Sequence, residues 1–164
     1  MEPPEPVTYT PIGRVRSPYR ALDGMPLQTV AAAQVEATIE LDARVHGAVR
    51  DLDGFSHLWL LAHLHRVGGW TPEVVPFLDT ELRGVLATRS PRRPNPIGLS
   101  LVELLAVERG ALRIRGVDLL DGTPVLDVKP YVPLFDARDG VRTGWFDAAA
   151  ARVHAVRSDA RYGA

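Results

Sequence analysis

The strongest restriction on the fold of this chain is its rhythm of short alternating runs, each closed by a glycine, proline or aspartate turn. Residues 55–65 set the pattern: Phe55, His57, Trp59, Leu61, His63 and His65 fall on one face, and Ser56, Leu58, Leu60, Ala62 and Leu64 on the other. A period of two over this length predicts a strand. Gln34 to Leu41 repeats it, with Val35, Ala37 and Ile39 against Glu36, Thr38 and Glu40. Ile12 to Arg16 is a shorter strand, turned by Ser17-Pro18-Tyr19 because a residue before proline avoids the helical region. Gly84 to Arg89 predicts another. Leu99 to Val107 and Leu112 to Val117 form a hairpin about Arg109-Gly110, and Val125 to Lys129 follows the Asp121-Gly122 turn and ends at Pro130. Helical spacing appears in two places. Leu41, Val45, Ala48, Val49 and Leu52 follow a candidate N-cap at Asp42 and stop at Asp53-Gly54, and Phe146 to Arg157 is alanine-rich. Residues 20–33 and 66–83 predict loops, the second long enough to be a functional loop or a cover. Many short strands with turns between them imply a mainly β chain closed into a barrel or sheet, with too few helices for a layered βαβ fold.

The 164 residues fit one domain, and the absence of cysteine removes disulfides, thiolate nucleophiles and cysteine-based metal centres. Neither a GxGxxG nor a GxxxxGK[ST] pattern occurs, so a dinucleotide-binding or P-loop site is unsupported. No apolar stretch approaches the length of a membrane span. Met1 to Pro6 is acidic and proline-rich, unlike a signal peptide, so residues 1–6 are expected as a loose tail and a cytoplasmic location is expected by default. The net charge of −1 confines any contact with RNA to a local patch.

That patch has an obvious candidate. From Leu82 to Val102 there are four arginines and no acidic residue, and three prolines stiffen Pro91 to Pro96. Guanidinium forks bind carboxylates and phosphates in fixed geometry, and proline lowers the entropy lost when a loop is held still. A stiff cationic loop in a near-neutral chain suits an anionic group, although a solvated turn would have the same composition. His63 and His65 could reach one metal, but no nearby acid completes a ligand set. The alternative keeps one or two histidines hydrogen-bonded inside the barrel. Asp121-Gly122 is either a plain hairpin turn or a bend whose exposed N–H binds a polar ligand. Asp127, Lys129 and Tyr131 share a face and would perturb one another's protonation, or form an ordinary surface ion pair.

Phe55 to Trp59, Gly84 to Gly98, Ser100 to Leu104 and Asp121 to Tyr131, with Ser17-Pro18-Tyr19 and the region of Pro26 and Gln28, together resemble the TrmO (TsaA-like) family over roughly residues 9–135. The resemblance implies a single-sheeted closed β-barrel that works as a homodimer. The implied activity is that of an S-adenosylmethionine-dependent tRNA methyltransferase acting on N6 of threonylcarbamoyl-adenosine at position 37, in the anticodon loop. It implies a cofactor site drawn from Gln28, Thr29, Val30, Leu64, His65, Arg89, Leu99, Leu120, Asp121, Gly122, Thr123 and Pro124, with Arg89 on the cofactor's carboxylate. The residues after Gln28 depart from the usual pattern. Asp127 is the expected general base, oriented by Lys129 and Tyr131, with His65 as the alternative. Arg92, Arg93 and Asn95 are candidates for the RNA or the substrate carboxylate. Residues 7–135 would form the methyltransferase barrel. Residues 136–164, with five arginines against four aspartates, would form a partly helical extension where longer members carry a further domain. Two other functions stay open: the same chemistry on a small molecule, and a non-catalytic nucleotide-binding regulatory dimer.

Overall fold

Period-two alternation carries through to eight strands: β1 (Gly13–Arg16), β2 (Glu36–Leu41), β3 (His57–His63), β4 (Glu73–Val74), β5 (Arg83–Gly84), β6 (Ile97–Glu108), β7 (Ala111–Arg115) and β8 (Pro124–Pro130). The computed structural model describes residues 5–163. Residues 1–4 of the expected tail lie outside the described residues. Six strands close a single antiparallel barrel in the order β1-β2-β7-β6-β3-β8, and β8 returns to β1 through Gly13↔Val125. The expected barrel therefore forms, and closure leaves those six strands no open edge. At the β1–β2 seam Gly13 has no room for a side chain, because a Cβ would stand 2.3 Å from the Glu40 carbonyl oxygen.

The inner face is aliphatic. Val15, Ile39, Leu58, Leu60, Ala62, Leu112, Ile114 and Val125 are fully buried, and Val102 nearly so. In a barrel this narrow the interior is filled by side chains. Strand β3 presents Leu58, Leu60 and Ala62 inward, and pairs with β6 from His57↔Glu103 to His63↔Ile97. The expectation of histidines inside the barrel fails for the same reason. Aliphatic residues hold every inward position of β3, so His57 and His63 stand on the outer face, and His65 follows the strand, exposed. Ser100 sits at an inward position opposite Leu60.

Three local expectations change. Gly84 to Arg89 is not a strand: only Arg83–Gly84 pairs, with β4, and Val85–Ala87 coil into a 3-10 turn. The Thr88 hydroxyl and N–H both donate to the Val85 carbonyl and lock that turn. The helical spacing at 41–52 produces two 3-10 segments, Ala43–Val49 and Leu52–Gly54, broken where Asp51 takes φ 66°. Asp42 caps the first, accepting the Arg44 N–H at 3.0 Å. In place of the expected helix over Phe146 to Arg157, the described residues form 3-10 turns at Gly144–Ala148 and Ala150–Arg152, and a third follows at Ala160–Tyr162. Ala149 and Val153 are buried against Leu78, with Leu27, Trp145, Phe146 and Val156 packed around them. Such tertiary packing overrides alanine's helical preference. Among the described residues no helix is long and apolar enough to cross a membrane.

Candidate functional site

The arginine–proline loop is held by its own hydroxyls. Thr88 and Ser90 are buried. The Thr88 hydroxyl donates to the Val85 carbonyl (2.8 Å) and accepts the Ser90 N–H (3.1 Å), and the Ser90 hydroxyl accepts the Arg92 N–H (3.3 Å). Arg93 donates to the Thr88 carbonyl at 3.1 Å, and the Arg92 carbonyl accepts the Thr71 N–H at 3.2 Å. Arg92 and Arg93 are thus half-buried braces of the loop, with Arg92 Nε buried and without a partner among the described residues. Asn95 is exposed. Arg89, between the two buried hydroxyls, projects outward, and its guanidinium donates to Gln28 Oε1 at 2.8 Å.

The aspartyl-glycyl bend is tied from the other side. The Ser17 hydroxyl donates to the Leu119 carbonyl (2.7 Å), and the Ser17 N–H donates to Asp121 Oδ1 (3.2 Å). Asp121 also pairs with Arg20 and, at 3.9 Å, with Arg16. Gly122 takes φ 78°, as its turn requires, but its N–H donates to the Val15 carbonyl at 2.8 Å and the Asp121 N–H to the Tyr19 carbonyl at 2.8 Å. The exposed N–H expected at this turn is therefore internally bonded. Thr123 is buried, its hydroxyl donating to the Leu120 carbonyl, and Leu120 is buried beside it.

The charge of Arg89 on the loop is felt just before the bend at Asp118, a residue absent from the sequence-based candidates. Its Oδ1 accepts the Ser100 hydroxyl at 2.6 Å. Burial pushes its carboxyl up to about 6, against the pull of the Ser100 hydroxyl and, more weakly, of the Arg89 guanidinium. Burial also raises the Tyr19 phenol, lowered in turn by Arg157 and raised by Asp118. Gly98 brings the end of β3 into the same region: a Cβ there would lie 2.9 Å from Leu64 and 3.7 Å from Leu119. Arg89 thus links Gln28 to the Asp118–Ser100 pair through its charge, and Leu64 and Leu119 meet over Gly98, two residues before Ser100. Thr29 and Val30 open a 3-10 turn beside β6, and Val30 and Leu99 are exposed. His65, though exposed, is held below the usual imidazole range, first by partial desolvation of its ring, then by Arg66 and His63. The signal for Ser100 was present in the alternation of β6, which places a hydroxyl at an inward position among aliphatic side chains.

Asp127, Lys129 and Tyr131 form a second group. Asp127 and Lys129 pair at 2.8 Å on the outer face, beside Leu61 and Trp59 of β3, and the carboxylate holds the Lys129 ammonium above its usual range. Tyr131 packs edge-on against Trp59, 5.9 Å between centroids, and against His57, 6.5 Å. Asp127 lines a cavity of about 440 Å³ walled mostly by Ile12, Leu41, Val49, Leu52, Phe55 and Val128. No hydrogen bond or ion pair among the described residues joins this group to Gln28, Arg89 or Asp118.

The C-terminal segment fastens the loops that carry Gln28 and Arg89. Ser158 bonds the 22–25 stretch through the Met25 N–H (3.0 Å) and the Leu22 carbonyl, and Arg157 bridges Pro26. Trp145 Nε1 donates to the Ala87 carbonyl (2.8 Å), Arg152 to the Leu78 carbonyl (2.6 Å) and the Tyr162 hydroxyl to the Val75 carbonyl (2.6 Å).

Residues 14–137 match the family model of the tRNA-methyltransferase O N-terminal domain. The chain is 43% identical over 156 residues to a probable S-adenosyl-L-methionine-binding protein of Pyrococcus abyssi, covering 95% of this chain and 85% of that one. It is 40% identical to the tRNA (adenine(37)-N6)-methyltransferase of Escherichia coli, over 90% of this chain and 67% of that one. Among solved structures, TrmO from Pseudomonas aeruginosa superposes with a TM-score of 0.73 at 38% identity, covering 86% of this chain. The chain spans 63% of that structure's length.

Proposed function

Because the chain belongs to the tRNA-methyltransferase O N-terminal domain family, we propose that it is an S-adenosylmethionine-dependent tRNA methyltransferase acting on N6 of threonylcarbamoyl-adenosine at position 37. The observation that carries this is the Arg89 cluster. A hydroxyl-braced loop presents a guanidinium bonded to Gln28 and felt by the Asp118 carboxyl, and the same loop ends at Gly98 against apolar Leu64 and Leu119, on a barrel without a dinucleotide-binding turn. That donor set suits a ligand with a carboxylate at one end and a flat adenosyl group at the other. When bound, the cofactor supplies a methyl group on a positively charged sulfur. Arg89 holds its carboxylate. Thr29, Val30, Leu64, His65, Leu99 and the bend from Leu120 to Pro124 flank the remainder.

Methyl transfer is an in-line displacement, so alignment provides much of the acceleration. The acceptor nitrogen belongs to a urea, and its lone pair is delocalised. Asp127 is the proposed base that takes the N6 proton, from within about 2.6–3.2 Å, with Lys129 and Tyr131 fixing its carboxylate. Arg92, Arg93 and Asn95 line the approach of the RNA or of the threonyl carboxylate. A homodimer is the proposed assembly. Exposed Val30, Leu86, Ile97 and Leu99 around the loop support a covered face, and a second copy would supply the Asp127 group that stands apart within one chain. In a second reading the acceptor is a small molecule: in the C-terminal segment Arg152, Arg157 and Arg161 are engaged by backbone carbonyls or by Asp159 rather than presented to RNA.

Incubation with methyl-labelled cofactor and tRNA carrying threonylcarbamoyl-adenosine, followed by nucleoside mass spectrometry, tests the proposal. Methylated threonylcarbamoyl-adenosine is the expected product. Label appearing only in small molecules supports the second reading, and cofactor binding without any product refutes both.

A further inference from the structure

Asp118 and Arg89 carry opposite charges in one neighbourhood, yet they do not form an ion pair among the described residues. Each is held by a neutral partner instead. Arg89 Nη1 donates to Gln28 Oε1 at 2.8 Å, and Asp118 Oδ1 accepts the Ser100 hydroxyl at 2.6 Å. Apart from its own backbone N–H, the Asp118 carboxylate accepts from no group other than Ser100 among the described residues, and the guanidinium keeps donors that Gln28 does not use. Burial disfavours the charged carboxyl here, so a neutral residue bonded to Ser100 would serve the barrel better. A fixed cation and a fixed anion, prevented from collapsing onto each other, match a ligand end that carries both charges on adjacent groups. The bend does not offer an equivalent anion, because Asp121 is already engaged by Ser17, Arg16 and Arg20.

We propose that Asp118 receives the α-ammonium group of the cofactor's methionyl end while Arg89 receives the adjoining carboxylate, so that the two residues recognise the amino-acid zwitterion together. This assignment rests on the cofactor proposed above.

Calorimetric titration of the full chain and of D118N with three probes tests it. S-adenosylhomocysteine keeps the zwitterion and lacks the sulfonium charge, S-adenosylmethionine has both, and methylthioadenosine lacks the amino-acid end. Loss of a charged hydrogen-bond partner should weaken the first two by on the order of 10- to 100-fold. Methylthioadenosine should bind both proteins alike, which also shows that D118N is folded. Unchanged affinity for S-adenosylhomocysteine overturns the assignment. Equal weakening of methylthioadenosine overturns it in favour of an adenosyl-side or structural role, and weakening confined to S-adenosylmethionine overturns it in favour of a sulfonium contact. If the unaltered chain binds none of the probes, the cofactor proposal itself falls.

Discussion

Replacing Asp118 by asparagine should stabilise this protein at neutral pH while weakening its ligand. The native carboxyl titrates at about 6, against an ordinary value of 3.8. Between those values the folded chain holds a proton that the unfolded chain releases, so stability falls as pH rises through the window and then levels off. The full difference corresponds to roughly 3 kcal/mol. Asp118 is incompletely buried, and solvent screening trims the expected loss to about 1–2 kcal/mol. Asparagine keeps an acceptor for the Ser100 hydroxyl and carries no charge. D118N should therefore lose the slope between pH 4 and 6 and gain about 1–2 kcal/mol at pH 7, roughly 2–8 °C in Tm for a chain of this size. Asp79, Glu103 and Asp159 act in the opposite sense. Arg83, Arg115 and Arg161 respectively hold them below the usual carboxylate range, and their contribution is lost as pH falls. Urea midpoints for both proteins from pH 4 to 8 isolate the Asp118 contribution as a difference. Parallel curves across pH 4–6 would show that the Asp118 carboxyl keeps its ordinary acidity in the folded chain.

Arg89→Ala should abolish cofactor binding measurable by calorimetry with little change in Tm, since among the described residues the guanidinium's one hydrogen-bond partner is Gln28; retained affinity would remove it from the site. Asp127→Asn should keep cofactor affinity and lose turnover in a methyl-transfer assay, and surviving turnover would move the base elsewhere, first to His65. Gly13→Ala should cost about 1–3 kcal/mol in urea unfolding, because the added carbon meets the Glu40 carbonyl at the barrel seam. Tyr162→Phe should remove about 1 kcal/mol of local stability with its bond to Val75, read as faster amide exchange at Gly68 and Gly69 with the barrel strands unaffected.

What the chain order reveals divides along the range of the interactions. Alternation at 36–41, 57–63 and 111–115 was readable because inward and outward positions differ chemically residue by residue. The β6–β7 hairpin was readable because Gly110, at φ 78°, marks its turn. Gly84 to Arg89 and the tail depart from the expected strand and helix for different reasons. The first is turned locally by the Thr88 hydroxyl and N–H on the Val85 carbonyl, whereas the second is set by distant partners, Leu27 and Leu78. Within the site, Arg89 stood out by composition. Asp118 did not, because an aspartate near a glycine turn reads as a turn residue until Ser100, eighteen positions earlier, is placed beside it.

Asp121 and Asp118 divide the work of the bend between them. Asp121 resembles a ligand-binding aspartate in sequence, yet its carboxylate is consumed by Ser17, Arg16 and Arg20, and its backbone by Tyr19. Its work is to fix the bend against the 15–20 stretch. With the bend fixed, the Ser100 hydroxyl holds the partly buried Asp118 carboxyl within Arg89's field, and no ion pair forms between them among the described residues. A carboxylate that costs the fold stability and is nonetheless held in place has its explanation outside the fold. Stabilising substitutions at such positions tend to cost function, so a D118N protein that is both more stable and fully competent for S-adenosylhomocysteine would refute this account of the barrel's cationic end.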